Sequence, residues 1–330
     1  MSVIAAEEAT TFFDALPDAL RFAHFSPEYI KADAARDAGL SPVFFLYSRG
    51  DSFFYHGFHL AKTPLDDFND IQSPYGYGGP LMQGDSAFIR EAWDAYVAWC
   101  RTQRVLAEFI RFHPGVENHR SYPGEIFFDR VTVWIDPAED DVFTEYQTRA
   151  RTDIRKALKE GLRMELVEPQ VFLSHFRPMY AATMKKASAS DFYYFNNVYF
   201  DRLSRLDALW MLLFKTQTPV GGAIFLTSGI NMEYCLSATT EEGRALRAGS
   251  LLLHHAKMLG KERGCRYFNL GGGSDRLLDN KVLFFKKSFS NAQADFYIGK
   301  HIFFEQEYAE CRRVWEAQNG TAAPKILFYR

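Results

Sequence analysis

Apolar and polar positions along this chain follow two periods, alternation over short runs and recurrence every three to four residues, which predicts a mixture of strands and helices. The first clear helix lies at 26–39. Ser26 is placed as its N-cap, Pro27 occupies the first helical position, and Gly39 marks its end. A hairpin follows, because two β-rich runs are joined by the turn sequence RGDS.

The same order of elements is predicted twice along the chain. A hairpin, a glycine-rich loop, a helix (86–103) and a strand (105–112) are followed, about 160 residues later, by a hairpin, a third strand, a polar segment, a helix (250–264) and a strand (266–270). Residue identity between the halves is poor, so the repeat is inferred from element order alone. A coincidence among common α/β units would give the same order. We therefore predict an α/β fold of two similar domains around a shared cleft.

A basic amphipathic helix separates the halves. Segment 144–168 is predicted as one helix that ends at Gly161 and continues into a strand. Its cationic side chains could follow the phosphates of a ligand, although most charge runs are solvated helix faces. The basic residues are Arg149, Arg151, Arg155, Lys156 and Lys159.

Composition and charge narrow the class of protein. The formal net charge is −3, whereas a protein that coats long nucleic-acid duplexes is normally basic, so any RNA contact must be local. Four widely spaced cysteines form no CxxC pair, which favours free thiols in a reducing compartment. The first twenty residues resemble neither a signal peptide nor a membrane span. We expect a cytoplasmic protein without a membrane span.

The triple glycine at 271–273 matches neither of the common nucleotide-binding loops. It lacks the lysine of a Walker loop and the third glycine of the dinucleotide fingerprint. The sequence also has no HExxH, GxSxG or CxxC motif, so neither a metal enzyme nor a nucleophile–base triad is indicated. A helix beginning at Gly249 and Ser250 beside Arg244 and Arg247 would favour an anion, but a solvated loop fits equally well.

Several segments in a fixed order carry a family resemblance. FNLGGG (268–273), followed by FFKKSFS (284–290) and a strand, resembles the C-terminal signature of the Fem family, the FemABX-type aminoacyltransferases, which are tandem folds of the GNAT superfamily. The resemblance covers roughly residues 40–310. Weaker matches in the same order are SPYGYGGP (73–80), RTDIRKALKEGL (151–162), YAATMKKASASDFYYF (180–195) and CLSATTEEGRAL (235–246).

The resemblance implies two tandem GNAT-like domains. The first, on the acceptor side, is 1–143, with 318–330 as a candidate completing segment; the second, on the donor side, is 144–317. Members move an aminoacyl group from aminoacyl-tRNA to an amine, commonly on a peptidoglycan precursor, or join amino acids to small peptides or natural products. Others are acyl-CoA acyltransferases. Two departures are visible: there is no room for a coiled-coil arm, and Arg247 replaces the first glycine of a coenzyme A loop.

The resemblance also assigns roles to residues. Lys286 would stabilise the tetrahedral oxyanion or the departing ribose hydroxyl, and Phe285 would hold the lysine stem against the cleft. Lys287 is expected to be a solvated neighbour. Glycines 271–273 would let the chain pass close to the donor, although a tight turn without a ligand explains them equally well. The remaining expected contacts are Arg244, Arg247, Gly249, Ser250, Gly271, Gly272 and Gly273 for the donor, Tyr75, Tyr77, Gly78 and Gly79 for the acceptor, and Arg149, Arg151, Arg155 and Lys156 for tRNA phosphates.

Three functions remain open at this point. The first is an amide-forming transferase that uses aminoacyl-tRNA as donor and a peptide or peptidoglycan-precursor amine as acceptor. The second is an acyl-CoA N-acyltransferase, and the third is a non-catalytic binding module. We expect no metal and no cofactor, apart from acyl-CoA as the donor substrate of the second alternative. The sequence does not specify the amino acid, the acceptor or the oligomeric state.

Overall fold

The computed structural model describes residues 2–64, 67–138, 143, 145–277, 279–323 and 325–330, and in these residues it has thirteen strands and ten α-helices. The strands β1 to β13 are, in order, Ser2–Val3, Leu40–Arg49, Ser52–Lys62, Asn69–Gln72, Leu81–Gln83, Val105–Arg111, Glu125–Ile135, Leu162–Leu166, Ala208–Lys215, Thr218–Ser228, Asn231–Thr239, Tyr267–Gly271 and Gln293–Ile302. The helices α1 to α10 are Ala6–Asp14, Pro27–Ala34, Ser86–Thr102, Thr148–Lys159, Pro169–Lys186, Asn197–Leu203, Glu241–Ala245, Ala248–Glu262, Lys281–Lys287 and Glu305–Asn319.

The chain forms two compact units. The first comprises Met1–Leu16, His24–Asp129 and Asp295–Arg330, and the second comprises Pro17–Ala23 and Arg130–Ala294.

The first unit is a mixed sheet with helices packed on it. Its strand order is β1-β2-β3-β4-β6-β13, with β5 beside β3. The β2–β3 hairpin turns between Arg49 and Ser52, as the RGDS sequence predicts. Helix α3 begins where the Asp85 carboxylate accepts the Phe88 N–H at 2.8 Å, and its buried face packs on the sheet through Tyr96.

Each unit has a described hydrophobic core beneath its long helix, α3 in the first unit and α8 in the second. The core beneath α8 is the larger of these two. The strand order of the second unit is β7-β12-β11-β10-β9-β8. Helix α8 packs on this sheet at a point of close approach, because a Cβ placed on Gly221 of β10 would lie 3.2 Å from the Ala248 Cβ. The buried side chains of the helix include Leu251, Leu252 and Leu253.

The two units share one strand topology, which confirms the predicted repeat. In the first, β2, β3 and β4 pair antiparallel and β4 pairs parallel with β6. In the second, β9, β10 and β11 pair antiparallel and β11 pairs parallel with β12. In each unit the connection between the two parallel strands contains the long helix, α3 or α8, which is the crossover that parallel pairing requires.

The division of the chain follows strand pairing rather than sequence order. Residues 130–143 lie in the second unit, where β7 pairs antiparallel with β12, and 295–317 lie in the first, where β13 pairs antiparallel with β6. The boundary expected between 143 and 144 instead assigns 130–143 to the first domain and 295–317 to the second. Position 144 itself is outside the described residues. Residues 318–330 belong to the first unit.

Local signals set most of the predicted helix boundaries. The Ser26 hydroxyl accepts the Tyr29 N–H at 3.2 Å, as expected of an N-cap, but α2 ends at Ala34, five residues before Gly39. Helix α4 ends at Lys159, and Gly161 then adopts a left-handed φ of +74° before β8. None of the helices in the described part of the chain is long and apolar enough to cross a bilayer.

Candidate active site

The candidate site of the second unit begins where two parallel strands part. The β11–β12 pairing comprises Asn231–Glu233 of β11 with 267–269 of β12, whereas β11 itself continues to Thr239. Opposite β10, Cys235 is an extra residue in β11, because Ile224 pairs with Leu236 and Phe225 with Tyr234. A bulge of this kind re-aims the neighbouring side chains. The carboxyl ends of such strands are where open α/β sheets bind ligands.

The triple glycine begins at Gly271, the last residue of β12, and backbone conformation and close packing explain it. Gly271 has a left-handed φ of +73°. A Cβ on Gly272 would lie 2.8 Å from the Val131 carbonyl oxygen, and one on Gly273 would lie 2.7 Å from Asn280 Oδ1. Each position therefore needs glycine for the turn itself or for its neighbours. The expected donor contact of these glycines stays a prediction.

Asn280 organises the loop after the glycines. Its Oδ1 accepts the backbone N–H groups of Val282 at 2.9 Å and Leu283 at 3.1 Å, which caps α9. Its Nδ2 donates to the Ser274 hydroxyl at 2.7 Å and to the Asp275 carboxylate at 2.8 Å. These hydrogen bonds connect the start of α9 to residues 271–275, which we call the glycine loop.

Lys286 lies at the end of α9 and reaches back to the same loop. Its Nζ donates to the Gly272 carbonyl oxygen at 2.7 Å and lies 5.7 Å from the centroid of the Tyr234 ring. Burial, and secondarily the charge of Arg130, lower the pKa of Lys286 from 10.5 to about 7. The amine can therefore lose and regain a proton at neutral pH.

Phe285 connects the lysine helix with the start of α8. Its ring packs edge-on against Phe289, with centroids 5.4 Å apart, and lies 3.7 Å from where a Cβ on Gly249 would be. Phe289 is fully buried, and its ring packs edge-on against that of Tyr146, with the ring centroids 5.1 Å apart. The two phenylalanines of the FKxxF motif thus fix α9 to the core.

Four of the residues expected to contact the donor, Arg244, Arg247, Gly249 and Ser250, lie in α7 or at the start of α8. Arg247 precedes the helix with a left-handed φ of +67°, the conformation that a glycine would adopt most easily. Its Nε lies 3.3 Å from Asp153 of the basic helix. Ser250 is buried in the first turn and Arg244 is exposed. This geometry suits an anion at the helix start, and the assignment stays a prediction.

The basic helix α4 lies beside this helix start and beside α9. Lys156 donates to the Ala245 carbonyl oxygen at 3.0 Å, and the Arg149 guanidinium lies 5.0 Å from the centroid of the Phe284 ring. Arg155 is exposed. Arg151 is half-buried and donates to the Phe143 carbonyl oxygen at 3.4 Å. The structure therefore brings the expected phosphate patch, the expected donor contacts and Lys286 together within one unit.

The expected acceptor loop belongs to the first unit and is firmly held there. The Tyr75 N–H donates to Asp33 Oδ2 at 2.9 Å, and its carbonyl oxygen accepts the Tyr29 hydroxyl at 2.7 Å. The Gly78 N–H donates to the Arg111 carbonyl oxygen at 2.7 Å. Backbone hydrogen bonds thus hold this loop in place, and its contact with an acceptor stays a prediction.

Gly79 and Tyr77 of this loop are in close contact with the body of the unit. Gly79 has a φ of +87°, and a Cβ there would lie 2.8 Å from Ile110 Cγ2. The Tyr77 ring packs against His24 and His113, with centroids 5.2 and 5.0 Å away. Neither histidine was identified from the sequence, because nothing local connects positions so far apart.

Three residues of the lysine site were also missed by the sequence analysis. Asn280 stands directly before a helix, and this N-cap signal could have identified it. Arg130 and Tyr234 carry no such signal, since their neighbourhood depends on which strands pair. The Arg130 guanidinium donates to the Gly273 carbonyl oxygen at 2.8 Å.

Comparison with known proteins agrees with this architecture. Residues 146–280 match the model of the acetyltransferase (GNAT) domain family. No curated protein matches the sequence. Among solved structures, FemX is similar with a TM-score of 0.70 and 14% identity, over 94% of this chain and 99% of that one.

Two further structures have the same fold. The C-terminal DUF2156 domain of a proposed lysylphosphatidylglycerol synthetase from Agrobacterium fabrum has a TM-score of 0.61 and 13% identity, over 94% of this chain and 96% of that one. A tandem GNAT protein from the clavulanic acid biosynthesis pathway has a TM-score of 0.50 and 11% identity, over 90% and 97%. The chain therefore has the Fem-type tandem GNAT fold that the resemblance predicts, and its residues 146–280 match a GNAT acetyltransferase domain.

Proposed function

We propose that this protein transfers an aminoacyl group from aminoacyl-tRNA to an amine, forming an amide on a peptide or peptidoglycan precursor. The observation that carries the proposal is Lys286. Its Nζ lies over Tyr234 at the bulge of β11 and its pKa is about 7. A group that exchanges a proton at neutral pH is what acyl transfer to an amine requires.

The proposed step follows from the protonation state of this lysine. The acceptor nitrogen attacks the ester carbon, so a C–N bond forms and the bond to the ribose oxygen breaks. Unprotonated Lys286 takes the proton that the attacking nitrogen releases. As a cation it then stabilises the oxyanion, and it returns the proton to the departing ribose oxygen. No metal and no cofactor takes part in this step.

The basic helix favours tRNA as the donor. Arg149 and Arg155 are exposed on α4, and Lys156 of the same helix bonds to the loop that leads into α8. In a chain with a formal charge of −3, such a local patch is where a polyanion is expected to bind. A structural neighbour whose name specifies a lysyl-bearing product is in keeping with an aminoacyl donor.

The second candidate is an acyl-CoA N-acyltransferase. The observation in its favour is the match of 146–280 to the acetyltransferase (GNAT) domain family, together with the start of α8 beside Arg247. Lys286 would serve this reaction in the same way, with a thiol as the leaving group in place of a ribose hydroxyl.

Measuring which donor the protein consumes distinguishes the two candidate functions. The protein is incubated with a mixture of amine acceptors and either ¹⁴C-aminoacyl-tRNA or acetyl-CoA, and loss of the ester or thioester is followed. We expect protein-dependent loss of the aminoacyl ester. Loss of the thioester alone would replace the proposal with the second candidate. Loss of neither would favour the non-catalytic binding module.

A further inference from the structure

Two cations bind successive carbonyl groups of the glycine loop. Lys286 Nζ donates to the Gly272 carbonyl oxygen at 2.7 Å, and Arg130 Nη1 donates to the Gly273 carbonyl oxygen at 2.8 Å. The Arg130 stem also covers Gly272, because a Cβ there would lie 2.9 Å from Arg130 Cδ. Two successive carbonyl groups of the loop therefore accept hydrogen bonds, the first from the lysine and the second from the arginine.

Strand pairing holds Arg130 in place. Arg130 is on β7, three residues before Val133, which pairs with Gly271 of β12. Thr132 on the same strand donates from its hydroxyl to the Ala294 carbonyl oxygen at 3.0 Å. The guanidinium is thus presented to the glycine loop by the same sheet from which the loop emerges.

Arg130 and Lys286 differ in how readily they lose a proton. A guanidinium remains protonated at any pH a folded protein tolerates, whereas an amine close to it can lose its proton. The groups described around Lys286 are Arg130 from β7, Tyr234 from β11 and the Gly272 carbonyl. Burial raises the pKa of the Tyr234 hydroxyl, so it adds no negative charge that would favour the lysine cation.

We propose that Arg130 is a positioning residue of this site, which fixes the glycine loop and makes Lys286, rather than itself, the group that exchanges a proton. The part concerning the loop and the lysine is independent of the substrate; the part concerning turnover rests on the proposed function. Consistent with the geometry, the charge of Arg130 is the second cause, after burial, of the lowered pKa of Lys286.

The test is a pH titration of Lys286 in the full chain by NMR of ¹³Cε-labelled lysine, with its resonance assigned by its absence in Lys286→Met. Arg130→Met keeps an apolar stem over Gly272 and removes the charge, and Arg130→Lys keeps the charge. We expect the Lys286 midpoint to move to higher pH in Arg130→Met and to stay near the wild-type value in Arg130→Lys. An unmoved midpoint in folded Arg130→Met would overturn the proposal. If that variant does not fold, a midpoint in Arg130→Lys that rises toward the ordinary lysine value would overturn it instead.

The pH dependence of kcat/KM provides the second readout. The acidic limb for Arg130→Met should move in the same direction as the NMR midpoint, while a merely structural role would lower the rate without moving the limb. If the wild-type protein consumes no aminoacyl-tRNA, the proposed function fails, and the titration still decides the relation between Arg130 and Lys286.

Discussion

Lys286 Nζ and the Gly272 carbonyl oxygen are 2.7 Å apart, so the C-terminal end of α9 is bonded to the glycine loop that leaves β12. The same Nζ lies over the Tyr234 ring on the neighbouring strand. One amine therefore spans the two parallel strands at the point where their pairing ends. The proposed chemistry requires a proton-exchanging group at this point.

Removing the amine should change how stability depends on pH. The pKa of Lys286 is about 7 in the folded protein and near 10.5 when the chain is unfolded, so between these values the unfolded state binds more protons. Below about pH 7 the folded protein bears the full cost of a partly buried cation, and this cost disappears as the pH rises toward 10.5. The Tm of Lys286→Met relative to wild type should be most favourable near pH 6 and decline toward pH 10. Lys287→Met removes a lysine from the same helix and is the control. A difference that is constant from pH 6 to pH 10 would show that Lys286 is not desolvated.

The basic helix should account for part of the salt dependence of tRNA binding. Each phosphate contact contributes about 0.7–0.9 to the slope of log affinity against log salt. Because Arg149 and Arg155 are exposed while Arg151 is half-buried, Arg149→Gln/Arg155→Gln should lower the slope by roughly 1.4–1.8 if each contacts one phosphate. Filter binding of aminoacyl-tRNA at a series of salt concentrations, from low to moderate, measures this slope.

The matched control for that measurement is Arg312→Gln/Arg313→Gln, which removes two arginines from α10 of the other unit. An equal slope for wild type and the α4 variant would exclude this helix from the RNA contact.

Two glycine substitutions near the site should differ in their effect on stability. Gly272→Ala places a methyl group 2.8 Å from the Val131 carbonyl oxygen, and we expect a loss of about 1–3 kcal/mol in the free energy of unfolding. Gly249→Ala in the first turn of α8 meets only Phe285, at 3.7 Å, and should be neutral or stabilising by up to about 1 kcal/mol. Urea denaturation measures both. Equal effects of the two substitutions would contradict the close packing described for the glycine loop.

The first unit offers a test of its own, at the pair formed by Arg330 and Asp70. The Asp70 carboxylate is fully buried and accepts two hydrogen bonds from the Arg330 guanidinium, at 2.7 and 2.9 Å. Arg330→Met leaves that carboxylate without its cation, and we expect a loss of about 1–3 kcal/mol in the free energy of unfolding, because Arg330 itself is exposed. Lys325→Met, on an exposed lysine nearby, should change little. A loss as small as that of the control would contradict a stabilising ion pair between these two residues.

The sequence predicted the local structure well because its signals are local. The cap at Ser26 and the turn between Arg49 and Ser52 depend on a few neighbouring residues, and the structure has both. The pairing of β7 with β12, and of β13 with β6, joins segments more than a hundred residues apart. Alternation along a strand indicates burial but not which strand lies beside it.

The same distinction applies to the candidate site. Lys286 and Phe285 were identified through a family resemblance carried by a short motif, while Arg130 and Tyr234 come to Lys286 only through strand pairing. The left-handed φ of Arg247 likewise depends on the turn between α7 and α8, where the sequence shows only a missing glycine. The structure therefore adds what the sequence does not contain, namely which residues of distant segments lie near Lys286.

Single-turnover kinetics of Lys286→Met with aminoacyl-tRNA test the central claim most directly. Methionine keeps the bulk and apolar packing of the lysine stem, so the variant should fold, as its melting temperature will show. If Lys286 supplies the proton exchange and the transition-state charge, the rate should fall on the order of a hundred- to a thousandfold, with a smaller change in substrate binding. Lys287→Met should react at close to the wild-type rate. A wild-type rate in folded Lys286→Met would contradict the account and leave the FFKKSFS segment as core packing with two lysines at its edge.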